Sequence, residues 1–201
     1  MSLVHKFGRN PDVDNDSSFF AVWNGPKGSY TGFDAAAGEA ITVSSGEAAD
    51  AGTVQSSGTL TGGSATTLVD SGADFVADSV AVGDCVINDS AGAHGIVTVV
   101  TATTLTVHGW RGSAPTVGDS YRVATTASTG AAVVQMPRVL DSAFALATVY
   151  VVLDGTTGVD TVGTDYLRSS RGRVVLAGSG GENAGDITAK QKTTTANVLF
   201  K

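Results

Sequence analysis

The residues able to do chemistry are scattered along this chain. Its three histidines, His5, His94 and His108, lie far apart and show no metal-ligand spacing. Neither H-x₃₋₅-H nor C-x₂-C occurs, so no metal site is expected. Asp154, Asp160 and Asp165 are candidates for a glycosidase-type carboxylate pair. They read as turn aspartates, and spacing alone does not bring two carboxylates to one cleft. Asp12-Val13-Asp14-Asn15-Asp16 opens like a calcium loop, whose alternating carboxylates point at one cation. The sixth position is then Ser17 instead of Gly and the twelfth Trp23 instead of Glu, so an Asx-type turn series after Pro11 is the better reading. Cys85, the single cysteine, lies in apolar Val82-Gly83-Asp84-Cys85-Val86-Ile87 and reads as a buried, inert thiol. Gly178-Ser179-Gly180-Gly181 follows a strand, but Ile187-Thr188 continues in strand chemistry, so no helix N-terminus cradles a phosphate. G-x-S-x-G, H-E-x-x-H and Walker patterns are absent. The expectation is a non-enzymatic protein with no catalytic residues and no cofactor.

Two clusters suit contact better than catalysis. Arg168, Arg171 and Arg173 are the one basic group, and alternation puts Arg171 and Arg173 on one face of an extended segment. They meet either acidic groups of a partner or acidic groups of their own chain. His108 stands beside Trp110 and Arg111, a polar and aromatic patch able to touch an exposed ligand, although a satisfied surface turn is the plainer reading. His94, in Ala93-His94-Gly95, reads as a hairpin tip.

Composition narrows the partners. The chain has 201 residues, a net charge of −7, a charged fraction of 15% and 26 glycines. That charge argues against a nucleic-acid surface, which needs clustered Lys and Arg. There is no run of about 18 apolar residues, so no spanning helix is expected, and the N-terminal MSLVHKFGRNPDVD lacks the apolar region of a secretory signal. Synthesis in a cytoplasm is the expectation, with assembly into a particle as one route outward.

The elements that must position these residues are strands. Tyr150 to Lys190 reads as three or four strands joined by Gly/Asp turns, with Val149, Val151 and Leu153 alternating against Tyr150, Val152 and Asp154. Ala40–Ser44 is a further strand, Ala132–Met136 another that Pro137 limits, Ala143–Ala147 reads as strand, and Thr193–Lys201 as a final one. Residues 59–124 look like a separate unit of about five short strands, a small antiparallel barrel inserted into another domain between linker-like flanks. Asp74–Asp78 reads as a single helical turn. Val82-Gly83-Asp84 and Val117-Gly118-Asp119 echo one another ahead of strands. Residues 35–58 and 125–201 then form a β-sandwich core. Residues 1–34 form an arm in which Phe7, Phe19, Phe20, Trp23, Tyr30 and Phe33 concentrate the large aromatics; such an arm docks its rings on its own domain or on a neighbour.

The opening Val4 to Asp14 (VHKFGRNPDVD), with Val22-Trp23-Asn24-Gly25 and Tyr30, resembles the start of a group of tailed-bacteriophage virion proteins. Tyr166-Leu167-Arg168, Val174-Val175, Ala177-Gly178, Asn183-Ala184-Gly185-Asp186-Ile187-Thr188 and Gln191 resemble the end of the same group, more loosely. The resemblance skips 59–124, which in turn looks like a small β module of phage structural proteins. It implies an all-β, jelly-roll-like sandwich that decorates the outside of an icosahedral head as a cement protein. The implied partners are the major capsid protein and further copies of the chain, a trimer before a dimer, with neither nucleic acid nor membrane. In that setting Phe7, Arg9, Phe19, Phe20, Trp23, Tyr30, Arg168, Arg171 and Arg173 would form capsid or subunit contacts. The alternative is a tail- or head-fibre-associated protein that binds receptor glycans near His108, Trp110 and Arg111.

Overall fold

The computed structural model describes residues 38–126, 129–169, 171–193 and 198–200, and every regular element among them is a β-strand. The first is β1 (Ile41–Ser45). Next come β2 (Gly52–Thr59), β3 (Gly62–Gly63), β4 (Thr67–Val69), β5 (Cys85–Asn88), β6 (Ala93–Val100), β7 (Thr104–Arg111) and β8 (Ser120–Thr126). The rest are β9 (Ala131–Asp141), β10 (Leu146–Val152), β11 (Val159–Asp160), β12 (Tyr166–Arg168), β13 (Arg173–Ala177), β14 (Ile187–Gln191) and β15 (Val198–Phe200).

They form three sheets. One has the order β11-β1-β14-β15, and a second is built on the long β9, which pairs β10 on one side and both β12 and β13 on the other. Ile41, Val43 and Ala189 of the first sheet meet Val134, Met136, Val139, Val151 and Leu153 around the second, which makes a sandwich. The third sheet takes β2 to β8, in the order β2-β8-β5-β6-β7-β4-β3, around its own core of Leu60, Leu68, Phe75, Val86, Val97 and Tyr121. Its strands do not close into the expected barrel. The path stays open because β3 pairs only β4, and the chain itself turns from β2 to β3 at Leu60 and Thr61.

Period-two patterning explains how the layers stack. On β10, Val149 and Val151 point into the sandwich, while Tyr150 and Val152 point to the seven-stranded sheet. On β9, Val134 and Met136 face one way and Val133 the other, so its first six residues are all buried. Val133, Tyr150 and Val152 meet Cys85, Ile87 and Ala124 of the seven-stranded sheet in a shared apolar layer.

Several local expectations change. Gln55–Gly58 and Ala124–Thr126 read as linkers, yet they lie in β2 and β8, paired with one another from Gly52↔Thr126 to Thr59↔Ser120. Their small polar residues hide a strand that is largely exposed. Pro137 does not end β9. The register moves from Val149↔Met136 to Ala147↔Val139, so Pro137 and Arg138 (φ 61°) make a bulge, where the missing proline N–H is tolerated. Ala143–Ala145 is a turn and not strand: Phe144 has φ 60°, and the Ala145 N–H donates to Asp141 Oδ1 at 2.8 Å. Asp74–Asp78 is one α-type turn, in which the Asp78 N–H donates to the Asp74 carbonyl at 2.8 Å.

Candidate functional site

The most elaborate polar arrangement lies where the seven-stranded sheet meets the sandwich. Period two aims Tyr150 of β10 and Gln135 of β9 at this junction. The Tyr150 hydroxyl accepts from Gln135 Nε2 at 2.6 Å, lies 2.9 Å from His94 Nδ1 and donates to the Gly92 carbonyl at 3.3 Å. Arg173 Nε donates to Gln135 Oε1, which extends the chain of bonds to β13. Beside it, Arg122 of β8 forms a two-pronged pair with Asp89, both bonds at 2.7 Å, and donates to the Tyr150 carbonyl at 3.1 Å. The side chains of that pair are only 17% and 13% exposed, so the ion pair is screened little by water.

The protonation states are those of a clamp. Burial first, then the charges of Arg173 and Arg111, lower the His94 pKa to about 4. Burial raises Tyr150 to about 12, against the opposing effect of its Gln135 bond. Near pH 7 both groups are neutral, and a histidine so weakly basic is a poor proton acceptor. Cys85, fully buried next to the junction, is pushed up to about 12 by burial and then by the Asp84 charge, so the thiol is protonated. His94 is therefore a buried residue within β6 and not a hairpin tip.

A cleft opens at the edge of this junction. One lobe, of about 460 Å³, runs between Asp89–Gly92 and Leu146–Val149, and a second, of about 210 Å³, is lined by Ser120, Tyr150, Val162 and Gly163. Asp89, Ser90, Val149 and Tyr166 border both lobes. Leu146 and Val162 are 55% and 65% exposed, which gives the cleft an apolar rim beside the polar Asp89, Ser90 and Ser120.

A second buried carboxylate ties the sandwich together. Asp50, between β1 and β2, accepts from the Ser45 hydroxyl and from the backbone N–H groups of Ala131 (2.7 Å), Ala184 (2.8 Å) and Gly185 (2.9 Å). Burial opposes its ionisation, but the bonds from Ser45, Ala184, Gly185 and Ala131 prevail and hold it below the usual 3.8.

The sequence-predicted residues are placed as follows. Phe7, Arg9, Phe19, Phe20, Trp23 and Tyr30 lie outside the described residues. Arg168 ends β12 opposite Leu140, while Arg173 opens β13 opposite Gln135, so β9 separates them by about 15 Å. Arg171 is exposed in the connection between those strands, and Arg173 is engaged with Gln135 inside the chain. His108, Trp110 and Arg111 share β7, but alternation fails there. Between Ile96↔His108 and His94↔Arg111, Gly109 and Trp110 lie opposite the single residue Gly95, a bulge with Gly109 at φ 53°. Trp110 packs on the core of the seven-stranded sheet, and its Nε1 is buried with no hydrogen-bond partner among the described residues. His108 and Arg111 are exposed. Asp160 is engaged by Lys192 and Thr42, and Asp165 by Ser142, so each carboxylate serves its own local contact.

Sequence reasoning missed the Arg122–Asp89 pair, the roles of His94 and Tyr150, and Asp50. One signal was present: Gln135 is polar within the apolar run Ala131–Met136, and a polar side chain in a buried strand needs a partner.

No group of three or more His, Cys, Asp or Glu able to hold a metal occurs among the described residues, and they contain no helix long and apolar enough to cross a membrane. Comparison with protein-family models, with curated proteins and with solved structures finds no match to this chain.

Proposed function

We propose that this chain is a non-enzymatic virion protein of a tailed bacteriophage, which binds the outer surface of an icosahedral head as a decoration, or cement, protein. One observation carries the reading. The C-terminal residues that resemble the phage group, Tyr166–Arg168, Val174-Val175, Ala177-Gly178, Asn183–Thr188 and Gln191, all belong to the sandwich and its loops, and none to the β2–β8 sheet. That distribution fits a shared frame carrying a variable outer unit. In this reading the frame is a jelly-roll-like sandwich that meets the major capsid protein, and the β2–β8 sheet faces solvent. The exposed Arg171 is available to acidic capsid surface, and residues 1–34 supply aromatic anchors of the kind that fill interface cores. Three copies around a local threefold axis would multiply weak single contacts into firm attachment.

The test is a cryo-electron-microscopy map of the source particle with the chain traced in it. Density at capsomer junctions on the outer head, with 52–126 turned outward, is the expected result. Density on the tail would replace the cement reading with receptor binding and make His108 and Arg111 the first residues to probe on a glycan array. Absence from the particle would overturn both.

A further inference from the structure

The cleft beside the junction is held open from both walls. On one side Asn88 accepts the Ala91 N–H at 3.0 Å and donates to Asp119 at 2.8 Å, which fixes the turn that carries Asp89 and Ser90. On the other, Thr161 Oγ1 accepts the Ile41 N–H at 3.0 Å and donates to the Gly163 carbonyl at 2.8 Å, which fixes the loop of Val162. Tyr166 borders both lobes, and its backbone is bridged in both directions to Glu39, at 3.1 and 3.0 Å. Gly163 lies against the end of its ring, where an added Cβ would be 2.2 Å from the Tyr166 hydroxyl. A site fixed in this way loses little freedom when a ligand enters.

The lining excludes most classes of ligand. No Lys, Arg or His is found among the described residues that line either lobe, so a phosphate or carboxylate would meet no counter-charge. Asp89 already takes both prongs of Arg122, so an ammonium group would meet a neutralised pair. A wholly apolar ligand would bury Asp89, Ser90 and Ser120 without new partners. Hydroxyl groups suit what remains. Each Asp89 oxygen keeps a lone pair after its bond to Arg122, and the guanidinium fixes the direction of the carboxylate. The Ser90 and Ser120 hydroxyls stand 3.1 Å apart. The Tyr166 hydroxyl makes no hydrogen bond with a described residue, and burial, then the Asp89 charge, raise its pKa, so it is a protonated donor. Leu146, Val149 and Val162 add C–H surface to these polar atoms. A pyranose ring carries both complements, hydroxyls at its edge and C–H groups on its face. The larger lobe, at about 460 Å³, is within the usual range of about 300–1,000 Å³ for small-molecule sites. The second lobe adjoins it at Tyr166, so a second ring can follow the first.

We propose that this cleft binds a neutral sugar, with Asp89, Ser90 and the Tyr166 hydroxyl meeting its hydroxyl groups and Leu146 and Val149 meeting its C–H face. The site is separate from the His108 and Arg111 patch on β7, and the inference does not depend on where on a virion, or whether on a virion, the chain is found.

The experiment titrates the ¹⁵N-labelled full chain with glucose, N-acetylglucosamine, maltose, lactose and N,N′-diacetylchitobiose in turn and follows its amide resonances. At least one of these sugars should give saturable shifts centred on the amides of Ser90, Ala91, Val149, Gly163 and Tyr166. Glucuronate and glucosamine should bind at least about tenfold more weakly than that sugar, because a charge would enter the cleft without a counter-charge. Ser90→Ala and Tyr166→Phe each remove one hydroxyl and should each weaken binding about fivefold, with the remaining amide spectrum unchanged. His108→Ala should leave the affinity as it was. No saturable shift with any of the five sugars, shifts centred on His108 and Arg111 or elsewhere, charged sugars bound as tightly, or an affinity indifferent to both Ser90→Ala and Tyr166→Phe would each overturn the proposal.

Discussion

The seven-stranded sheet and the sandwich are built in opposite ways. The first draws all its strands from one continuous stretch, 52–126, and its own core lies inside that stretch. The second pairs Ile41 with Gln191, and its buried Asp50 bonds backbone N–H groups 134 and 135 residues further on. Local strand pairing closes small loops and forms early, whereas distant pairing must wait for the chain to bring its parts together. The two halves are thus expected to differ in what breaks them, with the sandwich relying on a few polar tie points.

The strongest way to break the comparison is Asp50→Ala. It leaves three backbone N–H groups and the Ser45 hydroxyl without their acceptor, at a cost of about 3–5 kcal/mol. Hydrogen exchange should show β1 and β14 losing protection while β5 and β6 keep theirs. Equal loss in all four would show that the halves unfold as one unit.

Acid separates the halves by a second route. The folded pKa of His94 is about 4 against a usual 6.5, so the unfolded chain binds that proton more tightly. Stability from this residue is complete above pH 6.5 and is lost as the pH falls toward 4, by about 3 kcal/mol in all. Asp50, whose folded pKa lies below 3.8, stabilises the fold above that pH, and its contribution disappears only as the pH falls through its lowered value. Chemical denaturation between pH 7 and 3 should show a junction step first and a sandwich step later. His94→Gln should flatten the first step alone.

A smaller effect sharpens the picture at the junction. Arg122→Ala should cost about 2 kcal/mol, and the cycle with Asp89→Ala should give a coupling of about 1–2 kcal/mol. Arg122→Lys should recover little, because an ammonium cannot reproduce two parallel bonds and a third to the Tyr150 carbonyl.

The smallest effect belongs to the paired turns ahead of β5 and β8. Gly83 (φ 101°) and Gly118 (φ 92°) each precede an aspartate that accepts the N–H three residues back, Ala81 to Asp84 at 2.8 Å and Thr116 to Asp119 at 2.9 Å. Gly83→Ala and Gly118→Ala should each cost about 1 kcal/mol, through strain at a backbone angle that suits glycine. Thermal melts of the single and double variants should be additive within error.

Those turns also show what could be read from the chain alone. The Val-Gly-Asp echo was visible because its cause lies within four residues. The same holds for most strands, whose alternating residues state their own faces. His94 is decided by Tyr150, 56 residues away, and Asp50 by partners 81 to 135 residues away, so nothing near either residue announces its role. The bulges at Pro137 and Gly109 were hidden for a similar reason. A bulge is a property of two strands, and one strand read alone looks like ordinary alternation with a flaw. The Arg168, Arg171 and Arg173 cluster dissolved because two separate strands carry its ends.

Gly52 and Thr126 are register partners, so the chain leaves the sandwich and returns to it about one strand spacing apart. A slot with adjoining ends can accept other folded cargo without disturbing β1 or β9. The requirement on any replacement is a footprint: it must bring small and branched apolar side chains where Cys85, Ile87 and Ala124 now lie against Val133 and Val152. Grafting at this position is therefore governed by the underside of the cargo, while its far side is free to vary.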